Sequence, residues 1–245
     1  MTKELKFNLG RNLEKLLQSP IRNQLDLIHF SLETVRDIIT PNSLTHELDF
    51  DTSENEEGFR IVFPDKDNNR CLQRVFFNNR YEDVDGQSMN TIQSFVFPFI
   101  IERDEKIGFK VFGNFSMINH FEFNASVISQ LVTVINIIDD GELTWGDTWL
   151  EELLGLLYGE NKTIDTIAIF YIVNELLMFD FAYLRFDNDP KHVGENHPLY
   201  HLDTHLDNKG TYKIGLHEKY NISDFVDLLD NGSKISFIEQ KKRTK

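Results

Sequence analysis

Near the C-terminal end, four side chains able to bind a metal ion fall on every second residue: His201, Asp203, His205 and Asp207. On a strand, alternate residues share a face, so these four would point one way and Leu202, Thr204 and Leu206 the other. Alternate strand residues sit about 7 Å apart, close enough for two imidazoles to converge on one ion with a carboxylate between them. Imidazole with carboxylate suits zinc, manganese, iron or nickel. The expected metal ligands are therefore His201, Asp203 and His205. A harder set, Asp187, Asp189, Asp203 and Asp207, would favour magnesium. His192 and His197 lie on the preceding loop, placed to fold back as further ligands.

A metal-bound water needs a proton acceptor, and His197 or Asp187 is the expected catalytic base. Arg185 is the expected third catalytic residue, able to stabilise a phosphoryl group bidentately or to pair with Asp187 or Asp203. The plain alternative is a wet strand face on which His and Asp hydrogen-bond one another. No residues for an organic cofactor emerge: Gly141, Gly146, Gly155 and Gly159 lack the spacing of a phosphate-cradling loop, and no Gly-x-Ser-x-Gly elbow occurs. The cofactor this pattern points to is a divalent metal ion.

The elements that must hold this face can be read from periodicity. Leu13, Leu16 and Leu17, then Leu25, Ile28, Leu32, Val35 and Ile39, recur at helical spacing, which predicts helices over 8–18 and 20–39 around the break at Ser19-Pro20. The period then shortens. Residues 59–63 and 71–77 read as an antiparallel hairpin about a polar turn. Residues 94–101 read as a third strand, at an edge or bulged because Pro98 donates no ladder hydrogen bond. Residues 108–112 read as a fourth. Helical spacing returns in Val127, Leu131, Val134, Ile135 and Ile138. Asp147 is placed to cap a helix carrying Trp149 to Leu157, and Thr163 or Asp165 to cap Ile167 to Met178. Residues 179–187 then read as a strand, 200–207 and 211–216 as a hairpin about Asn208-Lys209-Gly210, 222–229 as a helix and 234–238 as a last strand. The expected class is α+β: N-terminal helices, an antiparallel β segment, central helices and a C-terminal β-rich layer. The expected organisation is a single compact domain over 1–245, with sub-units at 1–120 and 121–245.

Leu184-Arg185-Phe186-Asp187-Asn188-Asp189-Pro190 is followed by His197-Pro198-Leu199-Tyr200-His201-Leu202-Asp203, then Lys213-Ile214-Gly215-Leu216 and a helix containing Phe225. Over about 180–230 this resembles the C-terminal pattern of an uncharacterised bacterial family known as domain of unknown function 2290. It departs from that pattern at Asp203, where the resemblance implies His, and at Lys213, where it implies Arg. The resemblance carries no reaction with it. It implies an accessory member of a bacterial mobile or antiviral gene cluster.

Composition bounds the function. The formal net charge is −15, and an acidic surface repels phosphate backbones, which disfavours a dedicated nucleic-acid-binding module. The basic run at 241–245 reads as a solvated terminus. A single cysteine, Cys71, rules out an internal disulfide and reads as a structural thiol. Residues 1–6 lack the apolar core of a signal peptide, and the apolar run 167–179, interrupted by Asn174 and Glu175, is too short to span a bilayer. The expected compartment is the cytoplasm, without a membrane partner. Two function classes follow. The first is a bacterial accessory or defence-associated interaction protein acting through a protein partner. The alternative is a metal-dependent, nuclease-like hydrolase of a phosphodiester.

Overall fold

Helix α1 (Arg11–Leu17) and helix α2 (Gln24–Ile39) form where the leucine and isoleucine spacing places them. The second begins later than the proline implies, because Asn23 supplies a capping box. Its side chain accepts from the Asp26 amide at 2.9 Å, and the Asp26 carboxylate accepts from the Asn23 amide at 3.1 Å. Strand β1 (Lys3–Phe7) precedes them. It gave no signal of its own: five residues with two lysines and a glutamate carry little apolar alternation. The structure, a computed structural model, describes residues 3–7, 10–17, 21, 23–40, 45–46, 59–63, 73–82, 88–104, 108–141, 148, 151–153, 155, 166–195, 197–204 and 213–229.

The remaining elements are β2 (Thr45–His46), β3 (Arg60–Phe63), β4 (Arg74–Glu82), β5 (Ser88–Val96), β6 (Ile100–Asp104), β7 (Gly108–Phe115), β8 (Ile118–Glu122), α3 (Ala125–Asp139), α4 (Thr166–Met178), β9 (Leu184–Asn188), β10 (Tyr200–Thr204), β11 (Lys213–Gly215) and α5 (Ile222–Leu229). The architecture is α+β with two antiparallel sheets. One sheet has eight strands in the order β11-β10-β9-β5-β4-β3-β1-β2, so it draws strands from both halves of the chain. The other has three, in the order β6-β7-β8.

Two expectations need correction. The apolar run at 94–101 is not one strand: the chain leaves the large sheet at Val96 and enters the small one at Ile100. Pro98, lacking an N–H, sits at that crossing. The strand expected over 179–187 starts only at Leu184, and residues 179–183 are irregular. Ala182 there takes a φ of 43°, outside the strand region. β8 was also missed, because its sequence, INHFE, shows only weak alternation. The turn 208–210, the last strand at 234–238, the caps Thr163 and Asp165, Cys71 and the basic run at 241–245 lie outside the described residues. So does most of the helix expected from Asp147, of which residues 151–153 are helical.

Both faces of the large sheet are covered. On one, α2 lays Phe30 against Phe77 (ring centroids 4.8 Å) and edge-on to Phe95 (5.6 Å), within a core shared with α3 and α4. On the other, α5 buries Ile222, Phe225 and Val226 against Val62, Phe76, Ile92 and Phe186. Phenylalanine is abundant enough to build both layers, each ring removing a large apolar area from water. No helix among the described residues is long and apolar enough to cross a membrane.

Candidate functional site

The site grows from the pairing of three strands. β10 lies between β9 and β11, with His201 opposite Asp187 and Gly215, and Asp203 opposite Arg185 and Lys213. β5 continues the row, with Gln93 opposite Arg185 and Thr91 opposite Asp187. Strand alternation therefore puts Thr91, Gln93, Arg185, Asp187, His201, Asp203 and Lys213 on one face. Phe77 and Phe95 belong to that same face further along the sheet. The polar row thus begins where the phenylalanine core ends. Tyr183 Oη donates to Gln93 Oε1 at 2.6 Å, and Gln93 Nε2 to Thr91 Oγ1 at 3.2 Å, closing the boundary with satisfied polar groups.

His201 and Asp203 share a face, as the alternation predicts, but that face is not wet. His201 is 0% exposed, Asp187 2% and Asp203 6%. Their ligand-capable atoms all lie within 4.8 Å of one another. His201 Nε2 is 3.3 Å from Asp187 Oδ2 and 3.9 Å from Asp203 Oδ1. His201 Nδ1 meets the Pro198 carbonyl at 2.8 Å. A carbonyl oxygen only accepts, so Nδ1 carries a proton, and the Lys213 ammonium 2.7 Å from Nε2 only donates, so Nε2 is the acceptor. Pro198 lies close over Gly215, where a Cβ would come within 3.0 Å of the proline Cγ.

Two cations complete the cluster. Arg185 Nε donates to Asp187 Oδ2 at 3.0 Å, and Nη2 donates to Asp203 Oδ2 at 2.6 Å. Arg185 Nε also lies 2.8 Å from Asp187 Oδ1, an oxygen with no hydrogen bond among the described residues. Lys213 Nζ sits 2.7 Å from His201 Nε2 and 3.1 and 3.0 Å from the two oxygens of Asp203. The electrostatics divide the carboxylates. Burial pushes the Asp187 carboxyl above its ordinary range, and Arg185 draws it back only in part. Burial acts the same way on Asp203, but the hydrogen bond from Lys213 and the charges of Arg185 and Lys213 outweigh it and hold that carboxyl low. Burial also works against the Arg185 charge, and Asp187, Tyr183 and Asp203 more than offset it, so the guanidinium is held above its ordinary value.

A second cluster flanks the first. Asp189, also buried, lies 2.9 Å from His192 Nδ1 and 3.2 Å from His197 Nε2. Burial would raise the Asp189 carboxyl, but the hydrogen bonds and charge of His192 prevail and hold it low. The His197 ring stands edge-on to His201, centroids 4.7 Å apart. Burial, then Lys213 and His201, keep the His197 imidazole below its ordinary value.

Against the sequence-based expectations, the placement is mixed. His201 and Asp203 come together as ligand candidates. Asp187 joins them as a third member of the donor set rather than standing off as a base. His197 lies beside the trio, paired with Asp189. Asp189 turns to the two loop histidines, away from the harder carboxylate set. Arg185 is committed to two carboxylates, so its fork is engaged by the site itself. His205 and Asp207 lie outside the described residues. Lys213 was missed as a site member. Its signal was its distance beyond the expected turn, which sets it opposite Asp203 in a hairpin. Comparison of the chain with protein-family models, with curated proteins and with solved structures finds no match in any of the three.

Four charged side chains packed around one buried imidazole are a poor way to stabilise a sheet, since desolvation offsets much of their attraction. Such clusters with perturbed carboxyls are characteristic of working sites.

Proposed function

We propose that the protein is a divalent-metal-dependent hydrolase of a phosphodiester, with Asp187, His201 and Asp203 holding the ion. The observation that carries this reading is the convergence of their ligand atoms within 4.8 Å, all three side chains buried. One imidazole and two carboxylates form a donor set suited to manganese, zinc or magnesium. The Pro198 carbonyl gives His201 the outer hydrogen bond that metal-ligating histidines carry on their other ring nitrogen. A bound ion would lower the pKa of its water and polarise a phosphoryl oxygen. His197, oriented by Asp189, stands closest to the role of proton acceptor. Arg185 holds the ligands, and the contact with substrate charge passes to Lys213, whose side chain reaches solvent at 25% exposure. The net charge of −15 favours a short phosphodiester over a long nucleic acid.

The test is metal content after purification, followed by Mn²⁺-dependent hydrolysis of bis(p-nitrophenyl) phosphate. His201→Ala and Asp187→Asn should each lose more activity than the roughly 10–100-fold that follows loss of a group merely supporting a ligand. Metal-free protein with no chelator-sensitive hydrolysis would remove the reading.

A second reading is the bacterial accessory or defence-associated factor acting through a protein partner. The resemblance to domain of unknown function 2290 and the strongly acidic surface, which favours a basic partner, support it. On this reading the His201→Ala and Asp203→Ala variants leave partner capture intact.

A further inference from the structure

Lys213 occupies the place a metal ion would need. His201 has its Nδ1 proton committed to the Pro198 carbonyl, which leaves a single lone pair on Nε2. That lone pair faces the Lys213 ammonium at 2.7 Å. The same ammonium touches both Asp203 oxygens, at 3.1 and 3.0 Å. A divalent ion binds imidazole nitrogen at about 2.0–2.1 Å and carboxylate oxygen at about 2.0–2.2 Å. One lone pair serves one partner, so ion and ammonium exclude each other at His201.

We propose that Lys213 is a tethered occupant of the divalent-cation position, which it must vacate before Asp187, His201 and Asp203 can take up metal. This rests on the metal reading above and adds how that site is regulated.

The surroundings suit such an exchange. Lys213 projects from β11, the outermost strand in the order of the large sheet, and its side chain is 25% exposed while the His201 side chain is fully enclosed. Arg185 is similarly exposed, at 23%, but it is tied to both carboxylates, whereas among the described residues Lys213 is bound to Asp203 and His201 alone. Asp203 does not lose its charge partner when the lysine swings away, because Arg185 Nη2 already holds Oδ2 at 2.6 Å. Asp187 never depended on the lysine, since Arg185 is its cation. The ligand frame therefore persists while its occupant changes. With lysine in, two cations balance two carboxylates. With a divalent ion in and the ammonium outside, the pocket turns cationic and offers the lysine to an anionic substrate. Metal and substrate then favour each other, because a phosphate gives the displaced ammonium a new partner.

The exchange lowers apparent metal affinity by the fraction of molecules in which the lysine is out. Titrating the full-length protein with Mn²⁺ by calorimetry tests this, with Lys213→Met beside the wild type and far-UV circular dichroism checking the fold. Lys213→Met should bind Mn²⁺ at least about tenfold more tightly, corresponding to a lysine-out fraction of about one tenth or less. Lys213→Gln, which keeps a polar head without the charge, gives the same readout if the methionine variant does not fold. Binding by the variants but not by the wild type would be the strongest form of support. Unchanged or weaker binding in the variants, with the wild type binding normally, overturns the proposal and leaves the metal site standing. No Mn²⁺ binding by any of the three proteins sinks the metal reading and this proposal with it.

Discussion

Arg185 is the side chain on which the cluster most depends for its shape. It spans the two carboxylates, one through Nε and the other through Nη2. Replacing it with methionine keeps most of the stem and takes the guanidinium from both carboxylates, leaving Asp203 with Lys213 and stranding Asp187. Arg185→Met should destabilise the fold by about 3–5 kcal/mol, the range for stranding a buried charge, measured by urea denaturation. Arg185→Lys should recover only part of the loss, because a point charge cannot reach both carboxylates as a fork does. A loss below about 1 kcal/mol, the level of an exposed ion pair, would show that the carboxylates are stabilised by something else. At this scale the sequence revealed much of the chemistry. The alternation of His201 and Asp203 was legible because strand periodicity is strict. Asp187 was legible as a base and as a ligand of an all-carboxylate set but not as the neighbour of His201, since that approach depends on pairing between segments. The burial of the face was not legible, because alternating polar residues look alike whether they meet water or one another.

Among the elements, α5 has the least expected relation to the site. It packs on the opposite side of the sheet, with Phe225 edge-on to Phe76 at 6.1 Å, and Tyr220, just before the helix, stacks on Phe186 at 5.6 Å. Phe225 is fully buried. Phe225→Ala should cost about 3–5 kcal/mol, the range for truncating a core phenylalanine, read as a shift of the denaturation midpoint at unchanged slope. A cost under about 1 kcal/mol would mean that the helix is poorly docked. The helix itself was legible from its spacing, as were α2, α3 and α4. Long apolar stripes at a 3.6-residue period have few other readings. Strand limits were less so. The eight residues from Ser94 to Ile101 carry a single apolar tone across a change of sheet, and only Pro98 marks the crossing. Short charged β1 owes its place to a partner, β3, more than fifty residues away, which no local pattern announces.

For the whole molecule, the expected signature of the metal site is thermal. A ligand that binds the folded chain alone raises its stability by about 2.7 kcal/mol at a hundred times its dissociation constant. Saturating Mn²⁺ should therefore raise the melting temperature by several degrees, reversibly with a chelator, and His201→Ala should abolish the shift. An equal shift in that variant would assign the ion to the acidic surface, which a net charge of −15 makes a real competitor. High monovalent salt separates the two, because it screens exposed charge far more than an enclosed ligand set.

Phe186 lies between Arg185 and Asp187 in the chain, and Leu202 between His201 and Asp203. The pleat sends these apolar side chains to the layer under α5 and the ionic ones to the other side. Sliding β9 or β10 by a single residue would exchange the two sets, driving charges beneath the helix and a phenyl ring among the ligands. Mispairing is thus penalised twice, once in each layer. The greasy underside of the sheet proofreads the placement of the chemistry above it, so a one-residue insertion within either strand should disable the centre even where the protein still folds.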